Sequence, residues 1–304
     1  MKAYTLTFSP SLDYYINCDD IAFKEVTRAK NVRYELGGKG INVSRVLKTL
    51  GFDSTAIIIT GGFVGAEIVR RCKELELDII NIETAANSRI NVKFTGAELN
   101  APVPPLTDEE INKLSAVLDT LTEEDGLIIS GRIPENVDIK KVFGNRPFSL
   151  ICDVSGQALI DFLSLSPLLI APNDAEIAEI FRVGKIDDIN KLISLAKKLL
   201  ITEDVIGGAA GILLTLGSHG VMFIMPDKII AIEPHMRKAL NSVGAGDSCL
   251  AGFLAGAEKY ESEYDVLRLA NAAGAAAAFS EGLPTEEFIE ELFNSEIRAV
   301  DFQI

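Results

Sequence analysis

The densest chemistry in the chain lies in residues 241–256, NSVGAGDSCLAGFLAG. Gly244 and Gly246 allow backbone angles that a side chain forbids. The N–H groups of Gly244, Ala245 and Gly246 can therefore converge on one small space. The helix expected to follow adds the positive end of its dipole to that space. Such a nest suits an anion, above all one whose charge grows during a reaction. Asp247 sits inside it. A carboxylate at a helix start also serves as an ordinary N-terminal cap, and both readings stand on these residues. The sharper reading is a base aimed at a hydroxyl beside a transferring phosphoryl group.

A second glycine loop, Gly37-Gly38-Lys39-Gly40, precedes another expected helix. Lys39 offers a phosphate a point charge, and Asn42, about one turn on, offers a hydroxyl a partner; a plain turn is the alternative. Arg89 and Lys93 fall on a segment without helical period, where either faces a ligand or, for Lys93 equally, solvent. Arg132 follows the strand-like run at 127–130, and its guanidinium fork suits two phosphate oxygens. Asn173 and Glu176 are three apart and share one helical face. Their oxygens suit Mg²⁺ held indirectly through water, although Asn173 also fits a helix cap. Thr215, Leu216, Gly217, Ser218, His219 and Gly220 join two strand-like runs, as a tight turn or as backbone lying against a nucleotide. Asn271, among alanines, is either a base-edge contact or a helix-packing amide.

Positioning these residues requires alternating strands and helices. Strands are expected at 4–8, 55–60, 127–130, 149–154, 168–171 and 211–216, with a hairpin from 220 to 233. Helices are expected after Gly40 and after the glycine loop 61–65, at 111–121, 174–182 and 187–200, from Asp247, and at 265–280. Val43, Val46, Leu47 and Leu50 carry the helical spacing, with Gly51 as a stop. Thr107 and Glu110 form a capping box. The alternation predicts an α/β fold: a mostly parallel central sheet covered by helices on both faces. Ligands of such sheets sit at the carboxyl ends of the strands, which collects Asp13, Gly62, Ser130, Asn173, Gly217 and the Gly244 turn on one edge. Residues 13–34 and 78–103 lack helical period and are expected to pair into a small β-lid over that edge. No linker or repeat divides the chain, so one domain over 1–304 is expected.

Composition narrows the field. The chain has 304 residues and is 48% hydrophobic, enough for a large core. A net charge of −15 argues against nucleic acid and anionic membranes as partners. It also leaves Lys39, Arg89 and Arg132 to clamp any anionic substrate. No apolar run approaches membrane-spanning length. The strand-like start predicts no signal peptide, and four dispersed cysteines without a C-x-x-C pair point to reduced thiols in the cytoplasm. Two histidines make a histidine metal site a poor expectation.

Four motifs in order, ELGGKGINVSRVLKTLG, PNDAE, TLGSHG and NSVGAGDS, resemble the ribokinase-like sugar kinases of the phosphofructokinase B group over essentially the whole chain. The resemblance implies a three-layer α/β/α fold and ATP-dependent phosphoryl transfer to a sugar hydroxyl. It also implies Asp247 as catalytic base with residues 244–246 as anion hole, and Asn173 and Glu176 organising Mg²⁺. Residues 215–220, Gly246 and Asn271 would contact ATP, and Asp13, Gly37, Gly38, Lys39, Asn42 and Arg89 the sugar phosphate. A homodimer through the lid is expected, because a small sheet with open edges is rarely stable alone. Three departures stand out: Ala171 replaces the usual Lys, Arg132 replaces a small hydroxyl residue, and the lid between Lys93 and Leu99 is short. The lid segment RINVK is more like members acting on fructose 1-phosphate than those acting on tagatose 6-phosphate, so fructose 1-phosphate is the expected acceptor. Fructose 6-phosphate and tagatose 6-phosphate are the alternatives within the class. Outside it, a non-catalytic sugar-phosphate sensor would have no need of the base, and a Rossmann dehydrogenase would require Gly-x-Gly-x-x-Gly after strand one.

Overall fold

A computed structural model of the chain describes residues 2–18, 26–94, 97–201 and 207–302. In chain order, β1 (Lys2–Thr7), β2 (Ser11–Asn17) and β3 (Asn31–Gly37) precede α1 (Lys39–Thr49). Next come β4 (Ser54–Thr60), α2 (Gly62–Glu74), β5 (Asp78–Glu83), β6 (Arg89–Phe94), β7 (Ala97–Leu99) and α3 (Asp108–Leu118). The middle holds β8 (Asp125–Ser130), α4 (Ile139–Phe143), β9 (Ser149–Asp153), α5 (Gly156–Leu163), β10 (Leu169–Ile170), α6 (Asp174–Ile180) and α7 (Ile189–Lys197). The last part holds β11 (Gly211–Thr215), β12 (Val221–Ile224), β13 (Ile229–Ile232), α8 (Ala245–Lys259), α9 (Glu263–Ala278), α10 (Glu286–Phe293) and β14 (Ala299–Phe302).

The central sheet runs β14-β13-β12-β11-β10-β9-β8-β1-β4-β5, parallel from β5 to β11 and antiparallel beyond. Its strands are apolar on both faces because helices cover both. Leu127, Ile129, Ile212 and Leu214 face α3 to α7. Ile128, Ile151 and Leu213 point the other way, toward α1, α8, α9 and α10. Helices α8 and α9 pack so closely that a Cβ on Gly252 would lie 2.7 Å from the Leu269 carbonyl oxygen. The small residues of the 241–256 motif serve that approach. The capping box of α3 forms as expected, with the Thr107 N–H donating to Glu110 Oε2 at 2.7 Å.

The lid is a separate sheet, β3-β2-β6-β7. Its boundaries differ from expectation. Residues 78–83 form β5 and pair with β4 in the central sheet, so the second lid segment begins at Arg89. Periodicity cannot tell these cases apart, since any strand shows the same alternation and only its partner decides the sheet. Residues 19–25 of the first segment lie outside the described residues. The short helices α4 and α5, and the C-terminal α10 and β14, were not anticipated.

The two lid faces differ sharply in chemistry. Cross-strand pairs Tyr14–Tyr34, Ile16–Val32, Tyr14–Val92 and Val92–Leu99 make one face apolar. Ser11, Asp13, Tyr15, Arg89, Asn91 and Lys93 line the cleft on the other.

Candidate active site

Between the lid and the carboxyl ends of the parallel strands lies a cleft of about 910 Å³. Two helices start there. Gly38 (φ 129°) precedes α1, and Gly244 (φ 78°) precedes α8 in the left-handed region that a side chain resists. Neither start has a side-chain cap, so their first N–H groups are left to other partners. Gly246 lines the cleft, and a Cβ there would meet no protein atom within 4 Å. The space beside it is therefore a cradle that a side chain would fill. Ala245 departs from the expected nest: it is not part of the lining, and its N–H points to the Ser242 carbonyl at 3.4 Å.

Asp247 is 4% exposed, and Asn42 Nδ2 donates to its Oδ2 at 2.8 Å. Burial pushes the Asp247 carboxyl up to about 7, reinforced by the Asp153 charge and opposed by Lys39 and the Asn42 bond. The proton affinity thus falls near neutrality, where a general base works best.

Lys39 does not point freely into the cleft. Its Nζ lies 2.9 Å from Asp153 Oδ1, and that pairing pushes the ammonium pKa upward. Asp153 ends β9 and is buried. Burial pushes its carboxyl up as well, with the ammonium working against that push. The sequence reading missed Asp153, although a carboxylate at the carboxyl end of a parallel strand, followed by Ser155-Gly156 opening α5, was a usable signal.

On the lid side, Asp13 accepts from Ser11 Oγ at 2.7 Å and from Asn91 Nδ2 at 2.9 Å. Gly37 lies tight beneath them, where any Cβ would collide with Ser11 and Asp13. Arg89 is less available than expected. Its Nη1 donates to the Ala101 carbonyl at 3.1 Å and its Nη2 to the Ser9 carbonyl at 2.8 Å. Arg132 lines the cleft and is exposed. Lys93, equally assignable to solvent from the sequence, turns into the cleft lining.

Asn173 and Glu176 form the capping box of α6, through Glu176 N to Asn173 Oδ1 at 2.8 Å and Asn173 N to Glu176 Oε2 at 2.9 Å. Asn173 also lines the cleft, bridged to Thr215, which lines it too. Burial pushes the Glu176 carboxyl up. Among the described residues, no group of three or more His, Cys, Asp and Glu is arranged to hold a metal ion. Residues 217–219 make an exposed turn, closed by Leu216 N–H to the Gly220 carbonyl at 3.0 Å; of the expected 215–220 contacts only Thr215 lines the cleft. Leu216 and Gly220 are buried beneath it. Asn271 is buried on α9 and donates to the Glu233 carbonyl at 3.1 Å. Its amide ties α9 to the chain just past β13, and Asn271 is not part of the cleft lining.

Polar atoms lacking a protein partner gather at this edge. Thr7 Oγ1, Ser9 Oγ, Ser130 Oγ and Arg89 Nε are buried without one, and all four residues line the cleft. Asp153 Oδ2 is buried in the same condition. Such atoms are uncommon in a folded protein, and their clustering marks a polar ligand's seat.

A model of the family described as pfkB family carbohydrate kinase matches residues 9–287. The chain is 33% identical to the 1-phosphofructokinase of Bacillus subtilis, covering 95% of this chain and 96% of that protein. It is 30% identical to the D-tagatose-1-phosphate kinase of Bacillus licheniformis, over 92% and 93%. Among solved structures, phosphofructokinase-2 from Escherichia coli in complex with fructose 6-phosphate superposes with a TM-score of 0.83 at 25% identity, over 96% of this chain and 98% of that one.

Proposed function

The chain belongs to the pfkB family of carbohydrate kinases and is an ATP-dependent sugar-phosphate kinase, and from that premise we propose that its acceptor is fructose 1-phosphate, converted to fructose 1,6-bisphosphate. The acceptor is supported by relatives named 1-phosphofructokinase at 33–34% identity, and the phosphoryl transfer by the buried Asp247 carboxylate, tied to Asn42 where two uncapped helix starts meet. The acceptor's C6 hydroxyl oxygen bonds to the γ-phosphorus of ATP, the bond to the β,γ-bridging oxygen breaks, and ADP leaves. Asp247 takes the hydroxyl proton, late in the step, because such transition states are loose. The Gly246 N–H, at the start of α8, stabilises the charge on the transferring group. Lys39, Arg132 and Arg89 Nε hold the acceptor's phosphate, while Asp13 and Asn91 read its hydroxyls. Thr215 and Asn173, which line the cleft, border the nucleotide, with the 217–219 turn following Thr215 in the chain.

Mg²⁺ suits this site. The half-buried Glu176 carboxylate, the neighbouring Asn173 and the unpartnered Asp153 Oδ2 are hard oxygen donors. They are too few for an all-protein cage and fit an ion that keeps its waters and shares phosphate oxygens. When bound, it neutralises charge on the phosphates.

The relative named D-tagatose-1-phosphate kinase supports a second acceptor, tagatose 1-phosphate, which keeps the 1-phosphate and the C6 hydroxyl and differs at C4. An ADP-release assay over fructose 1-phosphate, tagatose 1-phosphate, fructose 6-phosphate and tagatose 6-phosphate tests the choice. The highest kcat/KM belongs to fructose 1-phosphate if the proposal holds, and a preference for either 6-phosphate overturns it.

The apolar lid face supports a homodimer formed lid to lid. Val32, Tyr34 and Leu99 on it are 47%, 46% and 63% exposed. A second copy's identical face would cover them. Among the described residues, no helix is long and apolar enough to cross a membrane. The acidic charge and buried cysteines accord with a cytoplasmic setting.

A further inference from the structure

Lys93 has no role in the chemistry above, yet it is held with unusual care. Its side chain is 11% exposed, although lysines are almost never buried unless paired. Its Nζ lies 2.9 Å from Glu98 Oε2 and 3.8 Å from Asp13 Oδ2. Glu98 is its cross-strand partner in the β6–β7 hairpin, so that bond alone would be ordinary strand pairing. The reach toward Asp13 is not explained this way. Asp13 is 7% exposed on the lid side of the cleft and is engaged on its other oxygen by Ser11 and Asn91. Arg89, Asn91 and Lys93 alternate along β6 on the cleft face, and Asn91 is Asp13's register partner. Lys93 shares its cleft lining with Asn241 and Val243, which lead into the Gly244 turn.

The charges here conflict with the proposed substrate. An acceptor that hydrogen-bonds Asp13 through its hydroxyls and also bears a dianionic phosphate brings that phosphate close to a desolvated carboxylate. Of the phosphate clamp, Lys39 is shared with Asp153 and Arg89 spends both Nη groups on backbone carbonyls, so Arg132 and Arg89 Nε are its uncommitted donors, and neither is paired with Asp13. Lys93 is the cation that meets Asp13 itself.

We propose that Lys93 is a specificity-determining residue: its ammonium, held over Asp13, admits phosphorylated sugars beside that carboxylate and gives neutral sugars no advantage. The proposal rests on the sugar-phosphate reading of the cleft. The ammonium screens Asp13 and turns one donor to the acceptor's anionic end, while Glu98 sets its position from solvent. Charge-assisted contacts of this kind are stronger than neutral ones. Their loss is expected to weaken a phosphorylated acceptor on the order of ten- to a hundredfold, since each tenfold is about 1.4 kcal/mol.

The test compares Lys93→Met, Lys93→Arg and Glu98→Gln with the unaltered chain. It reads KM for fructose 1-phosphate, the inhibition constant of fructose as neutral analogue, KM for ATP, and thermal melting as a check on folding. Lys93→Met is expected to raise KM for fructose 1-phosphate about ten- to a hundredfold. The fructose constant and the ATP KM stay unchanged, and Lys93→Arg recovers most of the loss. Glu98→Gln, which breaks only the hairpin pair, stays within about threefold. Equal losses for fructose and fructose 1-phosphate, or a Glu98→Gln variant as impaired as Lys93→Met, overturn the proposal, because Lys93 would then only staple the hairpin. The unaltered chain is assayed first. If another sugar phosphate is the best acceptor, the fructose 1-phosphate assignment fails and the same ratio is read on that acceptor. If the best acceptor carries no phosphate, both fail.

Discussion

Asn42 and Asp247 are 205 positions apart in the chain, yet the Asn42 amide donates to the Asp247 carboxylate at 2.8 Å. The bond joins the first turn of α1 to the first turn of α8. It engages one Asp247 oxygen and orients the carboxylate by a side chain that does not titrate.

Asp247→Asn keeps the shape of the side chain and the bond to Asn42, through the amide oxygen. It removes the proposed proton acceptor. Turnover is expected to fall roughly 10²–10⁴-fold while ATP still binds. Steady-state kinetics with a nucleotide-binding titration checks this, and a variant keeping more than about a tenth of wild-type kcat is incompatible with Asp247 as base.

The same carboxyl links activity and stability to pH. Asp247 must be ionised to accept a proton, so kcat/KM is expected to fall on the acid side with a midpoint near 7. Stability runs the other way. A carboxyl raised from 3.8 to about 7 binds its proton more tightly in the folded state, so its stabilising share is complete below pH 4 and lost as pH rises through 7. Asp247→Asn never incurs that loss. Its stability advantage over the unaltered chain is expected to open between pH 4 and 7 and level off above, at on the order of 2–4 kcal/mol. Denaturant titrations across that range measure it, and a gap independent of pH would contradict the linkage.

Asp153→Asn frees Lys39 and removes a negative charge that raises the Asp247 pKa. The acid limb of kcat/KM is then expected to move to lower pH, a displacement that loss of packing alone would not produce. An unmoved limb would sever Asp153 from the base.

Glu176→Gln separates capping from metal organisation. Glutamine can still close a capping box with Asn173, so the melting temperature is expected to change little. The Mg²⁺ concentration for half-maximal activity is expected to rise several-fold, with a smaller effect on the KM of the sugar phosphate. An unchanged Mg²⁺ titration would leave Glu176 a cap alone.

Val32→Asp or Leu99→Asp places a charge on the apolar lid face. Either is expected to turn a dimer into a monomer at micromolar concentration, read by light scattering. A monomeric unaltered chain would remove the lid-to-lid contact.

What was legible in the sequence was what is local. Positive φ at Gly38 and Gly244 is a demand that only glycine meets cheaply, so both loops showed themselves by residue type. Alternating strand and helix periods carried the parallel sheet, and the topology rule then placed Asp13, Asn173 and the Gly244 turn on one edge. The capping propensities of Thr107 and Asn173 were visible for the same reason, since each partner lies three residues away. Only the tertiary structure decided who meets whom across the fold. Lys39 finds Asp153 over 114 positions, Arg89 is taken up by the Ser9 and Ala101 carbonyls, and Asn271 by that of Glu233. Residues 78–83 look like lid strand by period and join the central sheet because β4 offers an open edge. Hydrogen bonding and ion pairing act over about 3 Å, and which groups come that close depends on how the strands order themselves. Burial works likewise: Asp247 is acidic by type, and only the packing of α1, α8 and β9 around it raises its affinity for a proton.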